Sequence, residues 1–434
     1  MISISRARVF VVACAAPLAL VLMSASPLSA AITARWLDKG QLDFNYGGDV
    51  QLAGGAATGE HAESKLFYTA GNRWWGVLGH STGHLSQGPG VYLYELVNHQ
   101  WQARFKLPSS DPWMKADTLF DATTGNLFVS LRDNRSVSGN PRQSNLYRYA
   151  YGIDGNWSYV SGPTPITPVG RNPEVLTIAQ DSFGRLWATW EDAGFIKVAN
   201  TQPGGTTFTS VPANLPPKVN VDDVSAVVAF DGPDGPRIGL MWSDQVARSF
   251  GFAWRDDDAA IGSPWNFETA YGDGVAGCGS SGASSTEACA DDHIHLAVSG
   301  DQLFAAVKTS LNDGSNIDPN DPLIVLLHRS GDGSWSSNAV SPVSDNASKP
   351  LVVLNPTLDL LHVFTNYKGV HVWESSLSDP SFNVGNRARW TAGGTGNPTS
   401  TKQLVSPSTG LVVETSHRSN TDYHHNEFLP VIGS

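Results

Sequence analysis

Charge is scarce in this 434-residue chain: Asp, Glu, Lys and Arg together make up 16%, against roughly 25% in an average soluble domain. Helices hold much of that charge, so the shortage argues against a helical bundle. No strict Gly-x-x period runs through the 43 glycines, which excludes a collagen-like chain. Beyond the first thirty residues no stretch approaches the roughly 20 apolar residues of a membrane helix. No phosphate-binding glycine loop, dinucleotide fingerprint or serine elbow occurs, which argues against ATP, NAD and acyl-transfer chemistry. What is abundant is Gly, Trp and Phe in a chain that is 41% hydrophobic. That apolar fraction is too high for disorder, and the composition calls for many short strands joined by turns.

The chain begins MISISRARVFVVACAAPLALVLMSASPLSA. Arg6 and Arg8 precede an apolar run from Val9 to Met23, with small residues around Ser29, Ala30 and Ala31. This reads as a secretory signal over 1–30; an uncleaved anchor is the alternative. The expectation is a single domain over 31–434, secreted or periplasmic, with no membrane contact once the signal is removed. Two arginines and no acid leave with the signal, so the net charge moves from −12 to −14. That balance disfavours nucleic acid, which rewards a basic face. Cys14 leaves too. Cys278 and Cys289 remain, flanking GSSGASSTEA, and read as a disulfide closing an insertion over 271–290. Half of a metal site is the alternative.

A degenerate repeat organises the rest. Openings recur at Glu63, Lys115, Asn172, Asp222, Asp291, Ser348 and Ser400, about fifty to seventy residues apart. Each runs through a strand, a Gly or Asp turn and a second strand, as a hairpin requires. A third strand follows in every unit (EFLPVI in the last) and a fourth in most. The last unit lacks a fourth strand, and ARWLDKGQLDF from Ala34 has the pattern to supply it. The predicted fold is all-β: a seven-bladed β-propeller of four-stranded antiparallel blades, the last closed by the N-terminal strand. A stacked pair of β-sandwiches is the alternative.

In such a ring the starts of first strands and the ends of second strands share one face. The starts hold His61, Glu63, Lys115, Asp117, Asn172, Asp222, Asp223, Asp291, Asp292, His293, His295, Lys349 and Lys402. The ends hold His80, His84, Arg132, Glu191, Asp244, Lys308, Asn366, Tyr367 and His417. Within DDHIH, alternation puts His293 and His295 on one side of the strand, where an imidazole can move protons near neutral pH. GHSTGH places His80 and His84 on a glycine-lined loop, and YHHNE stands at the start of the last third strand. Histidine and carboxylate together suit a divalent ion, zinc or calcium, though no cofactor is required. Lys115, Arg132, Lys308, Lys349 and Lys402 come from different units and converge on one mouth, where they would favour an anionic ligand. Interblade ion pairing is the plainer role for them.

Two turns, IDGNW at 153–157 and SGDGSW at 330–335, resemble the Asp-box of sialidase-like propellers, where that box is a structural turn. With the export signal, seven units and the DDHIH opening, the chain resembles secreted propeller polysaccharide lyases of the sialidase-like repeat group, including those that cleave ulvan. The resemblance implies a monomer acting on an anionic polysaccharide or oligosaccharide. Elimination from a uronate needs a base, an acid and a cation at the carboxylate. His293 or His295 is the expected base and Tyr367 or His80 the acid. Lys308, Arg132 and Lys349, with Lys402, Lys115, Asp223, Asp244 and Asp292 around them, are the expected substrate contacts. A glycoside hydrolase using Asp223 with Asp244 or Asp292 and a non-catalytic sugar-binding propeller stay open.

Overall fold

The computed structural model describes residues 40–47, 57–59, 62–81, 87–132, 143–171, 173–213, 215, 218–272, 289–313, 317–417 and 421–428. The expected signal, His61, His84, Asn172 and Cys278 lie outside the described residues; Cys289 is buried. Seven four-stranded antiparallel sheets form, and six take their strands consecutively from the chain. The innermost strands of blades one to six are Leu66–Thr69, Lys115–Asp121, Leu176–Gln180, Ser225–Gly232, Ile294–Ser299 and Ser348–Asn355. Blade seven runs Thr395–Thr399, Leu411–His417 and Asp422–Phe428, and Gln41–Asn45 is its outer strand. The chain ends therefore close the ring, as the lone strand in ARWLDKGQLDF requires. No helix among the described residues is long and apolar enough to cross a membrane.

Alternation within the blades explains where the core lies. In the second strand of blade five, Leu303, Ala305 and Val307 join Met241 and Phe252 of blade four. Phe304 and Ala306, on the opposite side, join Val352 and Val363 of blade six. Both faces of each inner hairpin are thus dry, and the core is a series of clusters between neighbouring sheets. Turn chemistry follows the sequence: Gly125 takes φ +70° in the blade-two hairpin, where Asp121 accepts from Thr123 N at 2.9 Å. The two Asp-box-like turns are one structure used twice. Asp154 accepts from Asn156 N at 3.1 Å and Asp332 from Ser334 N at 2.9 Å, each between a third and a fourth strand.

Blade seven departs from the sequence expectation in register. Its inner strand is Thr395–Thr399, so Lys402 lies past the strand rather than at its start. Its third strand is Asp422–Phe428, five residues earlier than EFLPVI, which puts His424 and His425 in mid-strand. The inner strand reads TGNPT and bulges between Gly396 and Thr399. It therefore carries no apolar alternation to find.

Candidate functional site

Strand pairing brings the expected positions to one end of the ring. Lys115 stands opposite Arg132, Ile294 opposite Val307, Ser348 opposite Asn366 and Thr395 opposite His417. Around blade five the hairpin continues one step past its strands: Asp291 N donates to Lys308 O and Lys308 N to His293 O, each at 3.2 Å. Asp291 and Lys308 are thereby side by side, and the Lys308 ammonium bonds Asp291 Oδ2. His293 Nδ1 lies 2.5 Å from Asp291 Oδ1 and 2.5 Å from Asp292 Oδ1. Its Nε2 faces Ser348 Oγ of blade six at 3.1 Å. A carboxylate on Nδ1 fixes the tautomer that leaves Nε2 as the basic nitrogen.

The charges in this cluster differ sharply. Burial works against the Asp291 carboxylate, but hydrogen bonds from His293 and Asp292 and the charges of His293 and Lys308 hold it far below the ordinary range. Asp292 goes the other way, raised by burial and by Asp291 in spite of its bond to His293. One carboxylate is thus firmly ionised beside one that retains its proton more readily. Asp291, Asp292 and His293 offer ligand atoms within 4.8 Å of one another, a donor set of the type the sequence suggested for a divalent ion, with Lys308 already supplying a positive charge at Asp291.

A second acidic group lies between blades three and four. Asp223 accepts from Ser243 Oγ at 2.8 Å and Asn220 N at 2.6 Å, and burial raises it to about 6. Glu191 is pushed up to about 7 by burial, with Asp192, Asp223 and Asp222 adding to the shift. Asp244 is buried and accepts from Ala247 N at 2.7 Å. Asp223 and Asp244 each close a local turn. Glu191 is the carboxyl here nearest to neutrality.

His295, His80 and Tyr367 are held by other partners. His295 is on the same side of its strand as His293 but deeper on the axis, 3.4 Å from Ser64 Oγ of blade one and from Val352 N of blade six. Burial first, then Lys402, lowers its pKa to about 3. It is buried between the blades at 2% exposure, with no open approach for a substrate, and this burial counts against its expected role as base. His80 bonds Tyr94 Oη at 3.0 Å and stacks on Phe44 at 5.3 Å, at the seam of blades one and seven. Tyr367 lies under the Arg387 guanidinium, 4.1 Å from its ring centre, and against His371. Both expected acids thus have partners of their own, Tyr94 for His80 and Arg387 for Tyr367.

The cations likewise do not form a free cluster. Arg132 is buried and bonds Glu63 Oε1 at 2.6 Å, and Lys65 takes Glu63 Oε2 at 3.2 Å. Lys402 crosses the axis to Asp117 of blade two and to Ile178 O of blade three at 2.7 Å. Lys115 is buried and Lys349 half-buried, the latter at φ +55° in the bulge after Ser348. A chain with few charges has paired most of those on its axis, because an uncompensated buried charge costs several kcal/mol.

Sequence reasoning missed Ser348 as a member of the site and left Asp291 and Glu191 among the ring of polar ends without a role. DDHIH contained the signal for Asp291; nothing local to Ser348 announced it.

No family model matches the chain, and no curated protein matches it. Among solved structures it is similar to an ulvan lyase described as a new polysaccharide lyase family, PL25. That match has a TM-score of 0.52 and 12% identity and covers 91% of this chain and 96% of that one. It is also similar to the polysaccharide lyase Uly1, with a TM-score of 0.50 and 12% identity over 94% and 96% of the two chains. At that identity the likeness shows the propeller fold, on which unrelated chemistries are built.

Proposed function

We propose that this protein is a secreted, monomeric polysaccharide lyase that cleaves a uronate-containing polymer by β-elimination. The observation that carries this reading is His293, its Nδ1 held by Asp291 and Asp292 and its Nε2 turned to the seam of blades five and six. In that role Nε2 takes the proton beside the uronate carboxylate, a carbon–carbon double bond forms, and the glycosidic oxygen leaves with a proton. Asp292, raised by burial, is the carboxyl of the cluster that serves as acid for the leaving oxygen in this reading. Lys308, on Asp291, is the cation of the cluster and offsets charge developing on the substrate. An ulvan lyase and the polysaccharide lyase Uly1 share the fold, which is compatible with this substrate class.

The test is a panel of uronate polymers followed by the ultraviolet absorbance of the unsaturated product. The wild type raises it and His293→Ala does not, with the circular dichroism of the two unchanged. Reducing ends without a chromophore would instead mark a hydrolase, with Glu191 and Asp223 as its carboxyls. Tight binding without product would mark a sugar-binding propeller.

One specific contact favours a second reading. Ser348, His293 and Asp291 stand in the order nucleophile, base and orienting carboxylate, at 3.1 and 2.5 Å, which is the connectivity of serine ester hydrolysis. Ser348→Ala separates the two readings, since it abolishes ester cleavage and leaves elimination in place.

A further inference from the structure

The seam where the ring closes carries a second group of carboxylate and imidazole, remote in sequence from the first. Gln41–Asn45 pairs with Asp422–Phe428, and that strand pairs with Leu411–His417, where Glu414 stands opposite His425. Asp43, Glu414 and His425 thus come from three adjacent strands of blade seven. The side chains of Glu414 and His425 are fully buried and that of Asp43 is 1% exposed. Asp43 Oδ1 bonds His425 Nδ1 at 2.6 Å, and Glu414 Oε2 accepts from Trp101 Nε1 of blade one at 2.5 Å. His425 Nε2 lies 3.8 Å from Glu427 Oε2, and the other Glu427 oxygen bonds His99.

Four buried atoms in this group have no hydrogen-bonding partner: Asp43 Oδ2, Glu414 Oε1, His425 Nε2 and Glu427 Oε2. Native interiors leave few such atoms, and carboxylate oxygens are among the costliest to strand. Asp43, Glu414 and His425 each offer a ligand atom within 4.8 Å of the others. We propose that these three residues bind a divalent transition ion of the zinc class, which pins the N-terminal strand to the last blade.

One ion would take the two carboxylate oxygens left without a donor, Asp43 Oδ2 and Glu414 Oε1, and the Nδ1 lone pair of His425 in place of the proton shared with Asp43 Oδ1. The imidazole proton then sits on Nε2 and points at Glu427 Oε2, the carboxylate–histidine arrangement that orients metal ligands. Mixed nitrogen and oxygen donors suit zinc and its neighbours, whereas calcium calls for about six to eight oxygens. Tetrahedral ligands lie roughly 3.4 Å apart, within the 4.8 Å that bounds these donors.

The site is sealed, so the test loads it during folding. The full chain, unfolded with chelator and refolded with Zn²⁺, is desalted and its metal measured. About one equivalent is expected to remain, with a thermal midpoint above that of protein refolded with EDTA. Glu414→Gln loses the equivalent and the shift, while His293→Gln keeps both, which separates this site from the mouth cluster. Because Glu414→Gln has a folding risk of its own, Co²⁺-loaded wild type provides an independent reading: visible d–d bands and quenched Trp101 emission, the latter absent in Trp101→Phe. Metal-free refolded protein with no Co²⁺ bands overturns the proposal, and the cluster is then held by shared protons. An equivalent lost in His293→Gln and kept in Glu414→Gln overturns it equally.

Discussion

The mouth between blades five and six and the seam between blades seven and one use the same residue types to opposite ends. Each places a histidine Nδ1 within 2.6 Å of an Asp oxygen and adds a second carboxyl. At the mouth Lys308 supplies a cation, Asp292 keeps 22% of its side chain exposed, and His293 Nε2 meets a serine hydroxyl that can turn away. At the seam every member is sealed by Trp101 and the closing strand, and the charges have nowhere to go. Imidazole beside carboxylate is therefore a site for chemistry only where one nitrogen reaches a group that a substrate can replace. Where water and substrate are excluded, the same pair is a tie.

The largest expected effect tests the mouth. His293→Ala lowers turnover by roughly 10²–10⁴-fold, as loss of a general base does, with little change in thermal midpoint; an active variant would make His293 a tie like His425. Next is the seam, where Asp43→Ala strands a buried imidazole. A cost of about 3 kcal/mol is expected in urea denaturation, and a loss typical of an exposed ion pair would erase the contrast. Glu191 tests the middle ground. Its folded pKa of about 7 lies above the ordinary 4.5, so its stability contribution is full below pH 4.5 and is lost as pH rises through 7. Glu191→Gln keeps the acceptor for Gly194 N and removes that slope. It should gain on the order of 1–2 kcal/mol at pH 8 after allowance for solvent screening, measured by denaturation across pH. The smallest effect is that of Ser348→Ala, expected to change elimination by only about two- to fivefold, within the contribution of one neutral hydrogen bond. A complete loss would move the reading to ester cleavage.

Much of the ring was legible because its signals are local. Short apolar runs such as LFAAV at 303–307 and turns such as TTGN at 123–126 repeat often enough to count blades. The unpaired strand after Ala34 implied closure. Blade seven misled because TGNPT has neither alternation nor branched residues. Alternation put His293 and His295 on one side, yet period two says nothing of depth, and two residues along the strand separate a histidine beside the part-exposed Asp292 from one buried between blades one and six. The cations were misjudged for a different reason. Arg132 meets Glu63 across 69 positions and Lys402 meets Asp117 across 285, and no spacing rule links them.

The amino-acid order alone determined the strand pattern, the blade count and the end-to-end closure, since each depends on alternation and turn residues within a few positions. Only the tertiary structure decided which ionisable groups neutralise one another. Those energies depend on distance and burial, and folding brings together blades that are far apart in the chain. Ser348 came to face His293, Lys402 to cross the axis, and His425 to be walled in beside Glu414.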